Sequence, residues 1–346
     1  MRATLMPKIR AILVRCTALI TRWPRLMALF GFISGAASYL LVDNRETFAQ
    51  VIAVLMLVSW LWLVLENWLR AGILRRFGVD IPPAAMRFAT QMVHQESLFF
   101  ALPFFLAVTN WSHGQALFTV TLMLCALVSV IDPLYYNQLA PRRPLFVSFH
   151  ALALFAVLLI VLPLLLYLTT EQSLALALGI ALTLSLPSLS LLFQGNWRRL
   201  PMLILVLLVL GIGIWSARSW IPPAALQMVN IVITQEIDQE AMVPGEELTQ
   251  FDIATLNQNG LYVWTAVRAP RGLQEQIHHV WIHERVVVDR ITLDIQGGRE
   301  AGYRAWSHKL NFGAQSTGRW QVRVVTDSGQ LIGLTRFTVT DISAGL

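Results

Sequence analysis

Apolar residues follow two patterns along this chain, and the change between them divides it. Up to residue 221 they form long runs; beyond it they alternate with polar ones. A bilayer's hydrocarbon core takes roughly 20 apolar residues per spanning helix. Seven runs approach that length: Leu26 to Val42, Thr47 to Leu65, Ser97 to Trp111, Gln115 to Tyr136, Pro144 to Leu168, Ser173 to Phe193 and Leu200 to Ser216. The third is the shortest and holds Pro103; a start near Pro83 lengthens it into a tilted helix whose first turns lie in the interface. Pro222 and Pro223 end the last run. Short alternating segments follow, namely Ile231 to Ile237, Leu261 to Val267, His278 to His283, Val286 to Ile295, Tyr303 to Leu310, Arg319 to Val325 and Leu331 to Thr340. Turn formers lie between them, notably Asn257 to Gly260, Gly297-Gly298 and Asp327-Ser328-Gly329. The expected architecture is a membrane all-α helical bundle of about seven transmembrane helices, followed by a C-terminal all-β immunoglobulin-like sandwich with no helical period.

Charge sets a direction on the helices. Arg2, Lys8, Arg10, Arg15, Arg22 and Arg25 precede the first run, while the next connection has only Asp43, Arg45 and Glu46. Arg70, Arg75, Arg76 and Arg87 then precede the third run, and no Arg or Lys lies in Asn110 to Gln115. Arg142 and Arg143 follow, then Glu171 alone, then Arg198 and Arg199. Basic and non-basic connections therefore alternate, as the positive-inside rule requires of a chain whose N-terminus is cytoplasmic and whose every run spans. Residues after Trp220 are expected on the far side, in the periplasm of a bacterial inner-membrane protein. Lys8 and Lys309 are the only lysines, an arginine bias read as the mark of a GC-rich bacterial genome.

Three domains result: a basic amphipathic cytoplasmic segment at 1–25, a transmembrane domain at 26–221 and an extracytoplasmic β-sandwich at 222–346. Residues 1–221 hold 16 Lys and Arg against 7 Asp and Glu, a net of +9; residues 222–346 hold 10 against 13, a net of −3. The basic balance thus belongs to the cytoplasmic loops and is no nucleic-acid signal. Lys8, Arg15 and Arg22 recur every seven residues opposite Ile9, Ile12, Cys16 and Leu19, the pattern of a helix lying on anionic lipid or of a flank that sets orientation. Cys16 and Cys125 are the only cysteines, so the exported domain is expected to fold without disulfides.

Within the last domain, Trp281, Ile291-x-Leu293, Tyr303-Arg304-Ala305-Trp306-Ser307-His308-Lys309, Gly318-Arg319-Trp320-Gln321-Val322, Asp327-Ser328-Gly329 and Phe337-Thr338-Val339 carry a likeness. Over roughly residues 225 to 342 the chain resembles an uncharacterised bacterial C-terminal domain of the domain-of-unknown-function class, found behind multi-helix membrane segments. The resemblance implies an uncharacterised bacterial membrane protein and supplies no catalytic residues.

Candidate chemistry is sparse. His279-x-x-x-His283 has a zinc-site spacing for a helix, but in a strand the two lie about 13 Å apart at ~3.3 Å per residue, too far to share one ion. Tyr262, Trp264, Trp281, Trp306 and Trp320 fit either a stacking platform or a sandwich core, and the alternation favours core. Gly31-x-x-x-Gly35 gives a groove for close helix packing. No metal, cofactor or catalytic residue is expected. The polar groups within the apolar runs are the informative ones, since they are costly there. Glu66, Asn67, His94, Glu96, Asp132, Tyr135, Tyr136 and His150 all fall toward the cytoplasmic ends; among them His94, Glu96, Asp132 and His150 are expected to converge as a polar pocket, against the alternative that each snorkels to water. The function expected is that of an envelope interaction or sensing protein, the lipid-anchored bundle holding a sandwich that binds a protein partner. A small-solute transporter or channel, and a membrane enzyme using the polar pocket, are the alternatives.

Overall fold

The computed structural model describes residues 46–78, 81–190, 200–313 and 316–341. The segment 1–25, the first apolar run and the Gly31/Gly35 pair lie outside the described residues. The helices are α1 (Glu46–Phe77), α2 (Pro83–Val108), α3 (Gln115–Val130), α4 (Arg143–Leu166), α5 (Thr170–Ser190) and α6 (Leu200–Ser216). Gly78 stops α1: its φ of 63° suits a residue without Cβ, and its N–H returns to Leu74 O at 2.9 Å. Pro83 then opens α2, where a missing N–H costs no intrahelical bond. As expected from the sequence, the short third run is the end of this longer helix.

The fourth run departs from expectation. It breaks ahead of Pro133, which has no N–H to return to Ser129 O; that carbonyl accepts from Gln91 Nε2 at 3.0 Å instead, while Asp132 keeps helical backbone angles. The chain continues as a π-helical segment, Pro133–Leu139, bent 101° from α3. Among the described residues only α4 is by itself long and apolar enough to cross a membrane, and Gln50–Leu65 and Pro201–Ser216 are shorter apolar stretches. Seven full spans are therefore not supported. The polar Gln91, His94 and Gln95 dilute α2, and the break shortens α3.

The chain divides into two compact units. The first comprises Met1–Pro103, Val120–Val161 and Ala177–Gly211; the second comprises Phe104–Thr119, Leu162–Leu176 and Ile212–Leu346. In the first unit α4 is buried without interruption from Ala153 through Val161. Other helices carry exposed apolar side chains: Val51, Leu55, Val58 and Leu61 on α1, Leu124 and Leu127 on α3, Ile204, Leu205, Leu208 and Val209 on α6.

In the second unit lie strands β1 (Gln227–Thr234), β2 (Ile237–Asp238), β3 (Val243–Pro244), β4 (Gln250–Asp252), β5 (Leu261–Arg268), β6 (Gln274–His283), β7 (Val286–Gln296), β8 (Tyr303–Lys309), β9 (Gly318–Thr326) and β10 (Leu331–Thr340). They form a three-stranded sheet ordered β1-β5-β8, a five-stranded sheet ordered β4-β10-β9-β6-β7, and the β2-β3 pair. One core joins the two larger sheets: Ile233, Leu261 and Val263 from the first share a cluster with Trp281, Trp320, Val322, Phe337 and Val339 from the second. Six of the seven expected segments coincide with single strands, and the first, Ile231 to Ile237, is split at residues 235–236 between β1 and β2. The expectation of no helix is corrected by α7 (Ile253–Asn259), whose N-cap Asp252 accepts from Ala254 N and whose end is closed by Gly260 at φ 68°. A Cβ at Gly260 would lie 2.5 Å from Lys309 O, so the β5-β8 edge leaves no room for one.

The five aromatic residues divide between core and surface. Trp281 and Trp320 lie in the shared core; Trp264 packs with Val232 and Ala266 on the outer face of the three-stranded sheet, beneath the β2-β3 hairpin, whose Met242 O accepts from the Trp264 indole at 3.1 Å. Tyr262 stacks on His308 with centroids 3.8 Å apart. They do not form one platform: Tyr262, Trp264 and Trp306 share the outer face of the three-stranded sheet, whereas Trp281 and Trp320 come from the five-stranded sheet and face the core.

Candidate functional site

In the first unit a string of polar side chains runs through otherwise apolar helices. Gln91, His94 and Gln95 sit at three- and four-residue spacing on α2, which puts them on one stripe of the helix. The π-helical segment brings Tyr135 and Tyr136 toward that stripe, and α4 contributes His150. His94 is fully buried and uses both ring nitrogens: Nδ1 lies 2.8 Å from Tyr135 Oη and Nε2 lies 2.8 Å from His150 Nδ1. Trp60 of α1 packs edge-on against His150 at 4.7 Å and donates its indole N–H to Ser97 Oγ at 2.9 Å. Phe149 flanks His94 on another side, at 5.2 Å.

A second string adjoins the first. The Gln91 amide donates to Ser129 O at 3.0 Å and to Asp132 Oδ1 at 2.8 Å, and its oxygen accepts from Tyr136 Oη at 2.5 Å. Gln91 is thereby satisfied on every side, as a buried amide must be. Tyr135 and Tyr136 meet edge to face at 5.2 Å and link the strings by packing.

Of the four residues expected to converge, His94 and His150 meet directly. Asp132 is held through Gln91 on the second string, so the partner of His150 is His94 and not Asp132. Glu96, two positions after His94, points to a different side of α2, since residues two apart on a helix do not share a face. Gln91, Tyr135, Trp60 and Ser97 complete the site. The α2 stripe was readable as a 3,4 pattern; Trp60 had no signal, because an indole in an apolar run reads as core.

This arrangement can pass a proton along its length. If Tyr135 donates to His94 Nδ1, His94 Nε2–H donates to His150 Nδ1, leaving the His150 Nε2–H pointing onward. The reverse order is an equally complete set of hydrogen bonds, and switching between them moves one proton-equivalent from end to end. At 2.8 Å the facing nitrogens share a proton; a zinc ion between them would hold each at about 2.0–2.1 Å and push them apart.

The sandwich buries polar groups of its own. His279 is fully buried, with Nδ1 2.8 Å from Ser307 Oγ and Nε2 3.3 Å from Thr265 Oγ1. Burial, with the adjacent His278 imidazole, draws its pKa down to about 3. His278, on the opposite face, meets Asp327 at 2.6 Å and Thr292 at 2.9 Å. His283 lies 3.0 Å from Thr317 O, so the spaced pair His279 and His283 engages separate partners. Glu275 is buried and accepts from both Thr170 N, at 2.8 Å, and Thr170 Oγ1, at 2.9 Å, at the start of α5. Desolvation pushes its pKa up to about 7, with Asp327 and Glu171 adding repulsion and the two Thr170 hydrogen bonds opposing.

Two family models match the chain. Residues 6–263 match a family of unknown function, DUF5924, and residues 274–339 match a protein of unknown function, DUF2914. No curated protein matches it. The gap between the two matches, residues 264–273, takes in most of β5 and the turn before β6, inside the sandwich: Leu261, Tyr262 and Val263 at the end of the first match pair with Lys309, His308 and Ser307 of β8 in the second.

Proposed function

We propose a function from one premise: the chain belongs to the family of unknown function DUF5924, whose model it matches over most of its length. In this reading it is a multi-pass bacterial inner-membrane protein, N-terminus cytoplasmic, whose helices anchor an extracytoplasmic immunoglobulin-like sandwich that senses or binds a protein partner. The observation that carries it is which loops fold with the sandwich. The connections poor in Arg and Lys, within Phe104–Thr119 and Leu162–Leu176, belong to the sandwich's compact unit, whereas those bearing Arg75, Arg76, Arg87, Arg142 and Arg143 belong to the other. Specific bonds hold the first set: Gln115 Nε2 donates to Leu331 O at 2.8 Å, and Thr170 N and Oγ1 donate to Glu275 at 2.8 Å and 2.9 Å. Two independent signals, loop charge and tertiary packing, thus sort the loops the same way. The outward leucines, isoleucines and valines of α1, α3 and α6 fit lipid as their solvent, since a surface patch so large and apolar is rare in water. The Arg/Lys-poor side is then the outer one.

Single cysteines in a chain without Cys16 and Cys125 test this. With an impermeant thiol reagent on intact spheroplasts of a bacterial host, Val287→Cys should be labelled and Arg142→Cys should be labelled only after lysis; the opposite pattern would reverse the orientation. A second reading, proton-coupled transport, is favoured by the His94 string. Its test is dissipation of a pH gradient by the purified protein in vesicles and loss of that activity in His94→Ala.

A further inference from the structure

The contact that ties the start of α5 to the sandwich is made by an acid in an acidic setting. Glu275 of β6 takes the two donors of Thr170, backbone and hydroxyl, and is shut from solvent at 4% exposure. Around it lies an open cleft of about 480 Å³ lined by Thr169, Glu171, Gln276, Asp294, Gln296 and Asp327. The charged groups facing it from each neighbouring element are all carboxylates: Glu171 on α5, Asp294 on β7 and Asp327 in the β9-β10 turn. On the same strand, His278 is held on Asp327 at 2.6 Å.

We propose that Glu275 and Thr170 form a proton-operated latch: uptake of one proton by Glu275 tightens the docking of the α5 start on the sandwich, and its release loosens it. This deepens the sensing reading and rests on it for its meaning, with the external proton as the signal sensed. Protonation does not break the contact. The carboxyl's C=O still accepts from Thr170 N, its new O–H donates to Thr170 Oγ1, and repulsion from Asp327 and Glu171 is relieved. In the opened state Glu275 is hydrated and ionises in the ordinary carboxylate range, whereas in the latched state burial holds its pKa near 7. The sign follows: a raised pKa in the closed form makes closure strongest below the ordinary range and weaker as pH rises through about 7.

The test uses the full chain in detergent, so it does not depend on which side of a membrane the sandwich occupies, and cysteine labelling judges that separately. Amide hydrogen exchange over the first turns of α5, corrected for intrinsic rate, should show protection falling with a midpoint near pH 7. Glu275→Gln, a permanent mimic of the neutral acid, should abolish the midpoint and keep the protected level throughout. A flat wild-type profile, or an unchanged midpoint in Glu275→Gln, overturns the proposal. Should that variant not fold, Glu171→Gln combined with Asp327→Asn decides it: the midpoint moves to lower pH if Glu275 is the titrating group, and one that stays in place refutes it.

Discussion

Two pairs of histidines show how differently a helix bundle and a sandwich treat the same side chain. His94 and His150 lie 56 residues apart and share a hydrogen bond, because two helices packed side by side bring chosen stripes together whatever their separation in the chain. His278 and His279 are neighbours in sequence and never meet partners in common. On a strand they face opposite sides, one to Asp327 and Thr292, the other to Ser307 and Thr265. The helical pair is therefore a conduit between groups that can each give or take a proton. The buried sandwich histidine is a fixed polar pin between sheets, kept neutral by desolvation.

The sharpest way to test that contrast is acid. His279 titrates near 3 when folded and near 6.5 when unfolded, so below about 6.5 the unfolded chain takes a proton that the folded one refuses. Stability should be present above that pH and be lost as pH falls toward about 3, with a slope of up to roughly 1.4 kcal/mol for each pH step between those two values. Denaturant titration followed by tryptophan fluorescence should show the loss, and His279→Gln should flatten its histidine-dependent part. The latch acid Glu275 tilts stability the other way between its ordinary range and about 7, so the Glu275→Gln background should expose the histidine slope more clearly. Next in size, His94→Ala strands Tyr135 and His150 within the helices. It should cost about 1–3 kcal/mol, read as a lower unfolding midpoint of the helical signal; a neutral substitution would mean the string is dispensable packing. Smallest is Asp327→Asn. Its carboxylate is half-exposed where it meets His278, so the loss should stay within about 1 kcal/mol, and a larger value would make His278 as structural as His279.

How far the sequence reached depends on which force set each feature. Strand positions were legible because burial on one face imposes a period of two, and Trp320, Val322 and Val324 all turn inward as that period requires. The sharp bend at Asp132-Pro133 was not legible, because the run reads as apolar on both sides and only the proline marks it. The short α7 was hidden in Ile253 to Asn259, whose polar content reads as a turn. In the site, the residue types were legible and one pairing was not: which group His150 meets depends on how α2 and α4 are rotated about their axes, and a one-dimensional pattern does not record rotation.

The parallel pairing of β4 with β10 has a consequence for how the molecule is made. Gln250, Phe251 and Asp252 pair with Thr338, Val339 and Thr340, nearly ninety residues later and at the very end of the last strand. Phe251 meets Phe337 at 5.5 Å in the core. During synthesis, then, the two sheets cannot close around their full core until β10 has been made, and β4 waits until then for its partner. A message cut short just before Phe337 would lose the final strand's core residues and leave β4 with nothing to lie against. Early termination should therefore yield no smaller working version of the sandwich, only a substrate for quality-control proteases.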